Sequence, residues 1–171
     1  MAAVNVTDNS VIEYNGAVFG GGGVYADGTA ALYVADSRIT TNASPKGAGL
    51  DVESGASLDI LRCVIDTNEA DDGGGIALGR SSVLSMRDVT LESNQALRGG
   101  ALFVERGIAT IYSSHFTENT AAYEGGGLYL GTTAQIQLFD SCAIDNNIGN
   151  TGGALYATTR ASVSGWVSGY E

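Results

Sequence analysis

Gly99-Gly100-Ala101-Leu102, then Phe116-Thr117-Glu118-Asn119, then Gly125-Gly126-Gly127-Leu128: this stretch holds one complete unit of a repeat. The glycine step recurs as Gly21-Gly22-Gly23-Val24, Gly47-Ala48-Gly49-Leu50, Gly73-Gly74-Gly75-Ile76 and Gly152-Gly153-Ala154-Leu155. Its aliphatic residues lie 26, 26, 26, 26 and 27 positions apart. Chance composition does not produce such a period, and stacked units do. A second marker runs out of phase with the first, an apolar residue followed three positions later by asparagine. It reads Ile12/Asn15, Ile39/Asn42, Ile65/Asn68, Leu91/Asn94, Phe116/Asn119 and Ile144/Asn147.

Between the markers the apolar residues alternate, as in Leu50-Asp51-Val52-Glu53 and Leu58-Asp59-Ile60. A period of two is the signature of a strand, and no segment carries a helical period. Stacking the units puts Val24, Leu50, Ile76, Leu102, Leu128 and Leu155 in one inward column, with Leu32, Leu58, Leu84, Ala109, Ile136 and Val163 in another. One-residue slips before Phe116 and Ile144 are expected in polar corners, where they disturb the register least. The reading is an all-β chain, a parallel β-helix of about six to seven rungs with three short strands each, right-handed like other parallel crossovers. It forms a single β-solenoid domain over 1–171, with repeats at 21–46, 47–72, 73–98, 99–124 and 125–151 between partial rungs 1–20 and 152–171. At a strand spacing of about 4.8 Å the rod is roughly 30 Å long.

The 171 residues carry 8 Lys and Arg against 19 Asp and Glu, a net charge of −11, which disfavours a phosphate-backbone partner. No apolar run is long enough to span a bilayer, so membrane insertion is not expected. Met1-Ala2-Ala3-Val4-Asn5 has neither the basic nor the apolar region of a leader, so a secretion signal is expected outside this chain or already removed.

The alternation of GGA[IL] or GGG[IL] with [FI]xxN resembles the repeats of the chlamydial polymorphic membrane proteins and related β-helix surface proteins. It is carried by Gly99-Gly100-Ala101-Leu102, Phe116-Thr117-Glu118-Asn119, Gly152-Gly153-Ala154-Leu155 and their degenerate copies, over nearly the whole chain. The resemblance implies a surface-exposed passenger β-helix, often adhesive. The function expected is therefore a non-enzymatic extracellular or cell-surface module for structure or adhesion. Its partners would be other copies stacked end to end into a filament, neighbouring repeats of a longer protein, or a surface glycan or host protein.

Individual residues sort between register and chemistry. Asn15, Asn42, Asn68, Asn94, Asn119 and Asn147 stack at one corner, where their side chains can bond backbone and one another. Lys46, Asp72, Arg98 and Glu124 alternate in sign before successive glycine steps, and Asp36, Arg62 and Asp88 do so on another edge, as expected of ladders that fix register. Tyr25, Phe103, Tyr129 and Tyr156 share one outward column, a candidate binding face for sugar rings or a partner. Asp27, Asp51 and Glu53 lie on adjacent rungs of one outer face, the spacing that β-helix polysaccharide lyases and hydrolases use and that also suits a Ca²⁺ ion. They are the basis of the competing reading, a carbohydrate-binding or polysaccharide-degrading protein.

Cys63 and Cys142 sit in the same column three rungs apart, about 14 Å, beyond the roughly 7 Å a disulfide spans between Cα atoms. His115, the lone histidine, has no spacing to a serine and carboxylate that would make a triad. No glycine step is followed by GK[ST] or opens a helix, so none is a nucleotide loop. No polar cap is evident at either end, and Trp166 and Tyr170 are candidates for a small aromatic lid.

Overall fold

The computed structural model describes residues 2–165, and the lid expected of Trp166 and Tyr170 lies outside them. The described chain is a right-handed parallel β-solenoid of about six turns, without helix. All strand pairs are parallel, between one turn and the next, and they build four sheets that run along the rod. The first sheet has seven strands, beginning Ala3–Val6, Ala31–Ala35 and Ser57–Leu61. The second has six, beginning Val11–Glu13, Arg38–Thr40 and Val64–Asp66, and the sheet that follows the glycine steps has six, beginning Val24–Ala26, Leu50–Val52 and Ile76–Leu78.

The remaining sheet corrects the expectation of three strands per rung. Gln95–Arg98, Thr120–Glu124 and Ile148–Thr151 pair as a fourth strand in the later turns. Earlier turns have only isolated bridges there, such as Ala43↔Glu69 and Lys46↔Asp72. The segment Ser44-Pro45 in one early turn bears on this, since proline has no N–H to donate to a ladder.

Registers follow the columns read from the sequence: Leu32↔Leu58, Leu58↔Leu84, Leu84↔Ala109 and Ala109↔Ile136 on the first sheet, Leu50↔Ile76↔Leu102↔Leu128 on the sheet after the glycines. Together with Ile39, Ile65, Leu91 and Phe116 these residues are buried and make one continuous core. The first slip sits at Glu105-Arg106-Gly107, a turn one residue shorter than Gly79-Arg80-Ser81-Ser82 in the turn before. It leaves Val104 and Ile111 in register with Leu78 and Met86.

The chain turns inward at residues of positive φ, which stack in columns. Asp36, Arg62, Asp88 and Ser113 form one column, with φ between 46° and 54°, and Thr41, Thr67, Ser93 and Glu118 form another, with φ between 53° and 57°. Left-handed backbone costs a non-glycine residue about 1–2 kcal/mol, so these corners persist because the stacked sheets on both sides hold them. Glu118 is exposed, and Glu118→Gly is expected to stabilise the fold by about 0.5–1 kcal/mol, the relief of strain exceeding the added freedom of the unfolded chain. Urea titration reads this as a higher midpoint at unchanged slope; a lower midpoint would show that the corner tolerates its left-handed residue without strain.

Candidate functional site

Each asparagine follows a left-handed residue, which turns its side chain into the coil. The backbone N–H of Asn42, Asn68 and Asn94 donates to Oδ1 of the asparagine one turn on, at 2.9–3.0 Å, and Nδ2 of each donates to the same oxygen at 3.0–3.1 Å. Nδ2 also reaches a carbonyl of the preceding turn, as in Asn68 to Ile39 and Asn94 to Ile65. The column runs unbroken from Asn15 to Asn147 and is buried from Asn42 to Asn119. Every interior asparagine thus uses its donors and its acceptor within the rod.

A second polar column explains the cysteines. Ser37, Cys63, Ser114 and Cys142 each donate from Oγ or Sγ to a carbonyl two or three residues back, Cys63 to Leu61 and Ser114 to Tyr112. Serine and cysteine share a small donor at this corner, and that shared chemistry was the available sequence signal. Both thiols are free, and burial pushes that of Cys63 up from its ordinary value. His115 is exposed beside Thr90 and Ala143 in the second sheet.

The charge columns divide. Arg98 holds Asp72 with two hydrogen bonds of 2.7 Å, and Arg62 holds Asp36 in the same way. Lys46 turns away from Asp72 and lies between Glu53 and Glu105, 3.3 Å from the latter. Glu124 pairs with Arg98 through the backbone alone, and Asp88 forms no ion pair among the described residues. The alternation is therefore a ladder in two steps only; a lysine flexible enough to reach Glu53 in its own turn and Glu105 two turns on does not stay in the column. An ion pair that the columns did not suggest is Arg38 with Asp66, at 2.8 Å in two hydrogen bonds. Burial alone would raise the Asp66 carboxyl, but hydrogen bonds from Arg38, Thr40 and Thr67 outweigh it and hold it below the ordinary value.

The aromatic column is not an open face. Phe103, Tyr129 and Tyr156 stack at 4.8 and 5.5 Å between ring centroids, but Phe103 is only 4% exposed and Tyr129 8%. The cause is the glycine step, which doubles back over the outward residue of the strand that follows it: a side chain at Gly99 would lie 3.0 Å from the Phe103 Cα and one at Gly125 3.1 Å from that of Tyr129. The Arg98 guanidinium covers the remaining surface, 5.2 Å from the Phe103 centroid and 5.4 Å from that of Tyr129. Tyr25 stands apart, separated from the stack by Asp51 and Ala77, and is 53% exposed.

Asp51 occupies that buried outer column as well. It is 2% exposed, tucked beneath Gly47 and Gly20, and its Oδ1 has no hydrogen-bond partner. Burial first, then repulsion from Glu53, pushes the carboxyl up to about 7, with Lys46 opposing. Lys46 itself stays charged: burial would lower its value, and the pairing with Glu53 and the fields of Asp51 and Glu105 outweigh it. Asp51, Glu53, Lys46, Tyr25 and Phe19 line a cavity of about 610 Å³ on the outer face. Asp27, Asp51 and Glu53 do not converge on a point, and among the described residues no three His, Cys, Asp or Glu side chains are placed to hold a metal ion. Glu53 is drawn to Lys46 while Asp51 is folded under the glycine corner, so the two carboxylates face different surroundings.

This placement gives stability a pH dependence. The folded carboxyl binds its proton more tightly than the unfolded one, so the native state holds the extra proton between about pH 4 and 7 and loses stability as pH rises through that window. Asp51→Asn should remove up to about 4 kcal/mol of that decline, the full shift converted at 1.36 kcal/mol per unit. Unfolding free energies of both proteins from pH 4 to 8 measure the difference; parallel curves would show that Asp51 is not desolvated.

Residues 2–121 match the family described as the right handed beta helix region. Residues 113–131 match the Chlamydia polymorphic membrane protein repeat, a segment containing Phe116-Thr117-Glu118-Asn119 and Gly125-Gly126-Gly127-Leu128. No curated protein and no solved structure matches the chain.

Proposed function

Because the chain belongs to the right handed beta helix family, we propose that it acts as a non-enzymatic, surface-exposed passenger rod, presenting its sides for adhesion or support. The supporting observation is where the recurring side chains go. The asparagines bond to each other, the serines and cysteines bond to corner carbonyls, and the aromatics are folded under the glycine steps. What recurs is consumed in holding one turn on the next.

The polymorphic membrane protein repeat at 113–131 supports a place at the cell surface. Neighbouring repeats of a longer protein, or further copies of this chain, would meet the rod along its axis, where the edge strands Ala3–Val6 and Ser162–Gly165 each have one paired side. Surface glycans or a host protein would meet its flank. Antibodies raised against the folded rod test the location on the cells that produce it. Intact cells should label, whereas labelling only after permeabilisation would contradict a surface role. Beads coated with the chain should be retained on the target surface above a carrier control if the rod is adhesive.

A further inference from the structure

We propose that the cavity over Asp51 is a binding site for a primary alkylammonium group. The charges at this place do not pair off. Four acidic or basic side chains come together here, and three of them satisfy one another: Lys46 is paired with Glu53 and shared with Glu105. Asp51 is left with a buried oxygen that accepts no hydrogen bond, and a carboxyl so placed costs the fold stability unless something donates to it. An ammonium group supplies both missing elements, the positive charge and N–H donors.

The mouth of the cavity suits the rest of such a ligand. Tyr25, directly beneath Asp51 in the sheet, presents a half-exposed ring of the kind that attracts a cation. Its hydroxyl is held above its ordinary value by burial and by the fields of Asp27, Asp51 and Glu53, with only Lys46 opposing, so the mouth carries a net negative potential. Phe19 and Val18 add apolar surface for an alkyl chain. Their side chains are 89% and 80% exposed, so little packing opposes an outward shift of the corner at residues 17–20 that overlies the Asp51 carboxyl. The charged groups that act on this carboxyl are Glu53, just past the end of its own strand, and Lys46 on the glycine flank; Tyr25 lies on the strand below with Asp27 just past its end, and the strand above contributes Ala77, which has no charge. The proposal concerns this cavity alone and stands independently of the surface role.

Calorimetric titration of the purified chain with n-butylammonium tests it, with n-butanol as the neutral probe, tetramethylammonium as the cation without N–H donors, and calcium chloride as the metal. Saturable one-to-one binding of n-butylammonium is expected, at least about tenfold weaker for tetramethylammonium and for Asp51→Asn. The cation favours the ionised carboxylate, so affinity should rise about tenfold between pH 6 and 8 in the wild type and stay flat in Asp51→Asn. Tyr25→Ala, a change at a half-exposed position, should weaken binding several-fold with the fold unaltered by circular dichroism. Absence of saturation, equal binding by Asp51→Asn, equal binding of n-butanol, or saturation by calcium in place of the amine would each overturn the proposal.

Discussion

Asn94→Ala is expected to lower the unfolding free energy by about 3–6 kcal/mol, among the largest losses any single side chain of this rod can cause. The magnitude comes from what is left behind. Asn94 Oδ1 accepts from both the backbone N–H and the Nδ2 of Asn68, and its own Nδ2 donates to Ile65 and to Asn119 Oδ1. Truncation strands two donors in a region from which water is excluded, each worth about 1–3 kcal/mol, and opens a small void beside them. The same change at Asn15 provides the control. That residue is exposed in the first turn, so water replaces the lost bonds and the loss should stay below about 1 kcal/mol. Denaturant unfolding of the two variants measures the contrast, and equal losses would mean that the column is not an interior ladder.

The second large effect is expected inside the glycine step. Gly73 adopts φ +68°, and a Cβ there would press on the Ile76 carbonyl, with its carbon at 2.8 Å. Gly73→Ala combines the cost of a left-handed alanine, about 1–2 kcal/mol, with overlap against backbone of about 1–3 kcal/mol, for a loss of about 2–5 kcal/mol. Gly75→Ala should cost less, by about the 1–2 kcal/mol of left-handed strain that it does not add: alanine already occupies the equivalent third position at Ala101 and Ala154 and no residue there has a positive φ, although a Cβ at Gly75 would still press on the Ala101 carbonyl oxygen at 2.6 Å. If the two variants lose the same stability, the first glycine is not the point at which the chain doubles back.

These two positions also mark how much the sequence discloses. A column such as Leu50, Ile76, Leu102 and Leu128 is legible because burial selects the same apolar character in every turn, and its period survives degenerate copies. The asparagine column is legible for the same reason, since one side chain alone meets the demands of an inner corner with a donor and an acceptor on each neighbour. The fate of the outward residues was less accessible. Alternation places Asp51, Phe103 and Tyr129 on the outside of their strands, and it does so correctly. It does not convey that the preceding glycine folds back over them, which turns an expected open aromatic strip into a covered one and a carboxylate pair into a single buried acid. The charge columns were partly misleading because alternating sign shows which residues are near, while side-chain length decides which meet. Arg98 reaches Asp72 in two bonds; Lys46 leaves the column for Glu53 in its own turn and Glu105 two turns on. The left-handed corners at Asp36, Arg62, Thr67 and Ser93 carried no glycine signal, because stacking on both sides enforces a backbone that local preference opposes.

A continuous internal asparagine ladder holds one turn in register on the next. Its most direct test is solution NMR of the side-chain amide protons of Asn42, Asn68, Asn94 and Asn119. The ladder predicts protons that exchange slowly with solvent and show nuclear Overhauser contacts from each asparagine to the next one in the column, 25 to 28 residues on. Side-chain amides that exchange at the rate of free asparagine, without contacts between turns, would contradict it.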